Sequence, residues 1–326
     1  MKILYVASNN LNARIQLARF LQAMTGTKHQ IRIAAYKKSS PKNTNIDWTL
    51  DALLNIYRPD LLSLDNDNLS IYFDQIKSFA PDLIISDLEY FTSIIACELN
   101  INLWQCSSSL INFALTKKEK YGLGLHKTYA HVISKDGVSS QRTVNIIDNS
   151  NRNFVYSHFG DSTSPPIINS NFEWVRPYHQ IAKDYVPCQH FLTASLFNND
   201  KRLIDLLKKY SDCAVFMDQI IEEHDNLLIK DIDNEDELYC NLKNSNFFVC
   251  QGQTSVLADA FYNGKYSLIY PDYRDSEAIT NSQISQRLKL GAIMSYSSDI
   301  LSQINFEVVV EKSNKIKYLH EFIEEL

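Results

Sequence analysis

Residues 246–292 read NFFVCQGQTSVLADAFYNGKYSLIYPDYRDSEAITNSQISQRLKLGA. Phe247, Phe248, Val249 and Cys250 form a short apolar run without alternation, the pattern of a strand buried on both faces. The polar turn Gln251-Gly252-Gln253 follows, and the segment 255–263 has helical spacing of apolar residues. A second apolar run at 267–270 ends in Pro271, and a polar loop leads into another helix over 277–288. Strand and helix alternating in this way imply a parallel sheet covered by helices. A helix opening at Thr254 or Ser255 points backbone N–H groups and two hydroxyls at one spot, which is an anion seat. About a turn further in, Asp259 is placed to accept hydrogen bonds from a ribose. The same two hydroxyls also suit a plain helix cap, and the sequence leaves both readings open.

The same rhythm extends outward in both directions. In the first half, strands are predicted at 3–7, 31–35, 61–64, 83–86 and 101–106, with helices at 13–24, 71–78 and 91–99. Beyond residue 110 the pattern loosens. Strands are predicted at 143–147, 154–157 and 173–177, with a loop at 160–172 and a boundary at 180–188. The alternation then restarts, with strands at 190–194, 214–217, 227–230 and 247–250 and helices at 201–208 and 235–242. The expectation is an α/β chain of two Rossmann-like doubly wound domains, 1–183 and 188–308, facing a central cleft. Residues 309–326 are expected to form a C-terminal helix that packs back toward the first domain. Ligands of such sheets bind beyond the carboxyl ends of the strands, so both domains would line the cleft with loops.

Composition narrows the function classes. The chain has 326 residues, 45% of them hydrophobic and 21% charged, which suits a globular protein of two domains. Its 8 glycines and 8 prolines are few, which excludes collagen-like and Gly/Pro-rich disordered classes and predicts degenerate phosphate loops. The six cysteines include no Cys-x-x-Cys pair, so neither a disulfide framework nor a zinc site is expected. No apolar run approaches the ~20 residues of a membrane span. The expectation is a cytoplasmic protein able to sit at a membrane periphery. Net charge is −6, divided as +3 over residues 1–186 and −9 over 187–326. The basic groups Lys28, Arg32, Lys37, Lys38, Lys42, Lys117, Lys118, Lys120 and Lys127 flank Tyr36, Tyr121 and Tyr129. That mixture would suit an anionic partner, whether nucleic acid or lipid head groups, or simply a solvated surface.

The segment quoted above resembles the donor-binding signature of GT-B glycosyltransferases, in particular the branch near the lipid II-forming N-acetylglucosaminyltransferase and its bacterial and archaeal relatives. The residues that carry the resemblance are Gln251-Gly252-Gln253-Thr254-Ser255, Ala258-Asp259-Ala260, Gly264-Lys265-Tyr266, Pro271, Glu277, Asn281-Ser282 and Leu290-Gly291. In the first half, Pro81-Asp82-Leu83-Ile84-Ile85-Ser86-Asp87-Leu88-Glu89 is similar to the family's "PDLVISDFE" strand. Tyr156 to Asp161 and Trp174-Val175-Arg176-Pro177-Tyr178 are similar to the end of its acceptor domain. The chain departs from the pattern at Gln253, where a glycine is usual, and at Ala278, where a glutamine is usual. Its first loop, Ser8-Asn9-Asn10-Leu11-Asn12-Ala13-Arg14, has neither the family's glycines nor its histidine.

By this resemblance, Thr254 and Ser255, with Gly252 and Gln253, would hold the donor diphosphate. Asp259 would replace the glutamate that contacts ribose. Asp275, Ser276 and Glu277 would read the donor sugar's hydroxyls. Asn10, Arg14 and His158 would meet phosphate or acceptor. An inverting transfer needs a base, and Asp87 and Glu89 past a strand end are the first candidates, with His126 next. No metal and no cofactor are expected, a UDP-sugar serving as co-substrate. The expected reaction is transfer of a sugar from a nucleoside-diphosphate sugar to the hydroxyl of an envelope glycan, a lipid-linked saccharide or a hydroxymethylated base in DNA. Alternatives are a catalytically silent module that binds nucleotide sugar or glycan, and a sugar-nucleotide 2-epimerase.

Overall fold

The computed structural model describes residues 1–42, 44–56, 67–125, 137–159, 165–179, 190–210, 212–218, 227–297, 299–300 and 316–326. They form two parallel sheets. The first has seven strands: β1 Lys2–Ala7, β2 Gln30–Ala35, β3 Trp48–Thr49, β4 Leu83–Ser86, β5 Asn102–Ser107, β6 Arg152–Tyr156 and β7 Glu173–Val175. The second has six: β8 Leu192–Leu196, β9 Cys213–Met217, β10 Leu227–Asp231, β11 Phe247–Cys250, β12 Ser267–Ile269 and β13 Gly291–Ile293. Their orders are β3-β2-β1-β4-β5-β6-β7 and β10-β9-β8-β11-β12-β13, so each sheet reverses direction beside its first strand. Those two switch points, β1/β4 and β8/β11, are where a doubly wound sheet opens a crevice.

The local sequence explains the strands. β1, β4 and β9 are unbroken apolar runs and are buried almost throughout, as central parallel strands must be. Apolar residues on one face of the first sheet (Tyr5, Leu83, Trp104, Phe154) pack against α1, Leu11–Ala23, through Leu17 and Phe20. The opposite face (Leu4, Ile84, Leu103) packs on the helices Asp67–Phe79 and Tyr90–Glu98. In the second sheet, β12 and β13 approach so closely at Gly291 that a Cβ there would lie 2.6 Å from the Ser267 carbonyl oxygen. No helix among the described residues is long and apolar enough to cross a membrane.

Two sequence expectations are corrected. Residues 143–147, read as a strand from their β-branched content, lie inside the helix Gly137–Asp148. That helix carries the crossover between the parallel strands β5 and β6, and Ile146 and Ile147 are buried; connectivity outweighs local propensity here. The short strands β3 and β13 went unpredicted, since two or three residues carry no periodic signal. The strand expected at 61–64 and the boundary expected at 180–188 fall outside the described residues.

Near the C-terminus, the helix Leu319–Ile323 joins the first sheet's core through Leu319 and Ile323. Arg176 bridges Tyr318 just before it, and the Arg176 N–H donates to the Lys317 carbonyl. Leu319→Ala is therefore expected to cost about 2–5 kcal/mol of stability. Urea unfolding should show it as a lowered midpoint; an unchanged midpoint would mean the helix contributes nothing to the core.

Candidate active site

The carboxyl ends of both sheets meet at one interface, and α1 is its first wall. Asn10 caps α1 by accepting from the Ala13 N–H at 2.7 Å. Asn10 also donates to Ser8 Oγ at 2.7 Å, so both ends of its side-chain amide bond within the turn. One turn along, Arg14 pairs with Asp218 at 2.7 Å and Asp233 at 2.8 Å, residues just past β9 and β10. Arg14 thus ties the halves together. Leu11 and Ile15 beside it pack on Ala214, Phe216, Ile232 and Leu238 of the second half.

Arg19 lies deeper. Its guanidinium donates to both Asp259 oxygens, at 3.1 and 2.9 Å, to the Tyr178 carbonyl at 2.8 Å and to Tyr239 Oη. Glu235 completes the set at 3.2 Å. Burial pulls the Arg19 pKa down, but the charges of Asp259, Tyr239 and Glu235 outweigh it and hold the group above its ordinary value. Asp259, expected to read a ribose, is instead the buried counter-ion of Arg19. The corresponding sequence signal was an arginine inside the apolar run Leu17-Ala18-Arg19-Phe20.

Glu277 forms a second node. It is buried near the start of the helix Ser276–Arg287, whose N-cap is Asp275. Its carboxylate accepts from Ser108 Oγ at 2.7 Å, Ser109 Oγ at 3.1 Å and Thr254 Oγ1 at 2.9 Å. Longer contacts come from Asn12 Nδ2 and from the Thr254 N–H, both at 3.4 Å. Asn12 Oδ1 in turn accepts from the Ser255 N–H at 3.3 Å. The chain's own carboxylate and amide therefore occupy the start of the helix Thr254–Tyr262, the spot the sequence assigned to a diphosphate. Ser276 accepts from Asn112 Nδ2 at 2.7 Å, another contact between the halves. Burial raises the pKa of both Asp275 and Glu277; the charge of Glu277 adds to the effect on Asp275, and the three hydroxyl donors offset part of it on Glu277.

Around this node several buried polar atoms have no partner among the described residues: Gln253 Oε1, Ser255 Oγ and Asn281 Oδ1. Gly252, at φ +94°, lets the loop pass against the helix Ser276–Arg287; a Cβ would lie 2.7 Å from both the Ala278 carbonyl oxygen and Ser282 Oγ. Ser108, Ser109 and Asn112 were missed in the sequence. Three consecutive serines, Ser107-Ser108-Ser109, at the end of a predicted strand were the available signal.

The two carboxylates expected to act as base have different surroundings. Asp87, at the β1/β4 switch point, accepts from Ser8 Oγ at 2.5 Å and is nearly buried. Burial raises its pKa, and hydrogen bonds from Ser107 and Ser8 offset part of that rise. Glu89 is a helix cap, not a cleft-facing group: its carboxylate accepts from the Phe91 and Thr92 N–H groups, Thr92 Oγ1 and Tyr36 Oη. Between them, Leu88 has φ +55°, a strained value for leucine, and its N–H donates to Gln105 Oε1 at 3.0 Å. His158 is fully buried, 3.0 Å from Ser285 Oγ across the interface, and burial lowers its pKa to about 3. It is a neutral, buried ring packed at the interface. His126 lies outside the described residues.

No protein-family model matches the chain, and neither does any curated protein sequence. Solved structures do. The spinosyn rhamnosyltransferase SpnG aligns with a TM-score of 0.55 at 11% identity, covering 90% of this chain and 85% of that one. The spinosyn forosaminyltransferase SpnP aligns at 0.53 and 14%, covering 92% and 87%. SsfS6, a glycosyltransferase of Streptomyces sp. SF2575, aligns at 0.53 and 12%, covering 90% and 87%. SpnG complexed with thymidine diphosphate aligns at 0.52 and 11%, covering 90% and 86%. The likeness shows the GT-B fold: two parallel α/β sheets with interleaved helices.

Two outcomes follow for the interface. Arg19→Met leaves Asp259 buried without its counter-charge and is expected to cost about 3–5 kcal/mol, while Arg19→Met with Asp259→Leu recovers much of the loss. A double-mutant cycle in urea checks this, and additive costs would reject the pairing. The second outcome concerns pH. Neutral His158 contributes stability that is fully present above its ordinary pKa of 6.5 and is lost as pH falls toward about 3. His158→Gln should therefore lose less stability than wild type between pH 7 and pH 4, and equal losses would exclude His158 as a source of acid sensitivity.

Proposed function

We propose that this chain of GT-B fold is a glycosyltransferase that moves a sugar from a nucleoside-diphosphate sugar, first of all a UDP-sugar, to an acceptor hydroxyl. The observation that carries the reading is the meeting of both sheets' carboxyl ends at one polar node. Glu277 there contacts Ser108 and Ser109 of one half and Thr254 of the other. The donor would occupy the β8/β11 crevice of the second half, and the acceptor the β1/β4 crevice of the first. The fold neighbour SpnG has been solved with thymidine diphosphate, which supports a nucleotide on the donor side.

In this reading Asp87 is the base. Its carboxyl, raised in pKa by burial, suits a group that takes the acceptor's proton as the hydroxyl oxygen attacks the anomeric carbon. The nucleoside diphosphate leaves from the opposite face in a single, inverting displacement. Asp275 and Glu277 would read the sugar hydroxyls. We take the acceptor to be a glycan or lipid-linked saccharide in preference to DNA, because Arg14, Arg19 and Lys42 are already neutralised by the second half. A second reading, a binding module without turnover, is favoured by one observation: Asp259 and Glu277 are saturated by the chain itself.

Incubation with UDP-, dTDP-, GDP- and CMP-sugars separates these readings. Release of nucleoside diphosphate that Asp87→Asn slows at least about tenfold is the result expected of the enzyme. Saturable binding without release, with or without glycan acceptors, would favour the module. A sugar nucleotide at 100 times its dissociation constant should also add ~2.7 kcal/mol of stability, and no thermal shift with any of them would reject both readings.

A further inference from the structure

We propose that Lys38, from the first half, is a phosphate-binding residue of the donor site, so that donor binding bridges the two halves. The inference rests on the nucleotide-sugar reading above. Lys38 lines a cavity of ≈ 200 Å³ with Phe197, Asn198, Asn199, Met217 and Asp218, at the carboxyl ends of β8 and β9. Among the described residues the exposed Lys38 ammonium makes no ion pair, whereas Asp218, which lines the same cavity, is already engaged by Arg14. A cation without an ion pair, lining a crevice beyond the carboxyl ends of parallel strands, attracts an anion there.

Both walls of this cavity are held in place. Lys38 belongs to the 3₁₀ turn Lys37–Ser39, pinned by the Lys37 N–H to Asp51 at 3.0 Å and by Ser39 Oγ to the Tyr36 carbonyl at 3.1 Å. Tyr36 is itself fixed by its hydroxyl on Glu89, which gives that buried carboxylate a positioning task. On the other wall, Gln251 Oε1 accepts from the Phe197 and Asn198 N–H groups at 2.9 and 3.2 Å, and Asn198 Nδ2 donates to Asp272 at 2.6 Å. The alternative anion seat, at the start of the helix Thr254–Tyr262, is filled by Glu277 and Asn12. Asn199 also lines a second cavity of ≈ 350 Å³, walled by Arg202, Tyr273, Arg274 and Tyr296. A ligand with its phosphates beside Lys38 therefore reaches that larger, aromatic space with its remaining part.

The test is calorimetric binding of UDP and dTDP to the full chain at about 50 mM salt, where surface electrostatics is least screened. Lys38→Gln should weaken both by about tenfold or more, Lys38→Arg should stay within about threefold of wild type, and the exposed control Lys77→Ala should not differ. Lys38→Gln binding both nucleotides as tightly as wild type would overturn the proposal while leaving the glycosyltransferase reading intact. So would an equal loss in Lys77→Ala, which would reflect net charge alone. Wild type binding neither nucleotide would overturn both.

Discussion

Arg19 is a charge that cannot be neutralised by losing its proton, and it is buried. A guanidinium in that position requires carboxylate and carbonyl partners on every side, and the chain draws them from both halves. Tyr178 stands at the end of the first sheet's segment, and Asp259, Tyr239 and Glu235 come from the second. The relative placement of the two sheets satisfies this one group, and the surrounding interface is organised about it. Leu11 and Ile15 close against the second half on one side of α1, while Ile279 and Ile284 close against Leu110, Ile111 and Phe159 further along. The arrangement is held by apolar contact and positioned by charge, which is the usual division of labour for buried ion pairs.

The same interaction gives the charge asymmetry of the sequence a structural meaning. A first half at +3 and a second at −9 suggested an anionic partner for the first. Part of that partner is the second half itself, since Arg14, Arg19 and Lys42 end on Asp218, Asp231, Asp233, Glu235 and Asp259. Lys42, one of the basic groups that would suit nucleic acid or lipid, is in this case structural. Lys38 is a different case, because it lines a cavity whose carboxylate, Asp218, is already paired with Arg14.

Much of the fold was legible because parallel strands buried on both faces must be written as unbroken apolar runs. β1, β4, β9 and β11 were read from such runs to within a residue or two. The helix Gly137–Asp148 was misread because Thr143, Val144, Ile146 and Ile147 favour extended backbone, and only the need to cross from β5 to β6 overrules them. The candidate site was legible as an address more than as a set of roles. Thr254, Asp275 and Glu277 do converge, but on each other and on serines some 170 positions away in sequence. No local pattern records that encounter.

By itself, then, the sequence determined the alternation of strand and helix, the two successive sheets, and the loops in which polar groups gather. Those features follow from burial periodicity and turn chemistry, which act over a few residues. Only the tertiary structure decided that Asp259 answers Arg19, that Glu89 and Asn10 are caps, that His158 is a neutral buried ring, and that Glu277 occupies the helix start. Each of these depends on which distant side chain reaches a buried polar atom first. A polar group removed from water must take whatever partner the packed fold brings to it.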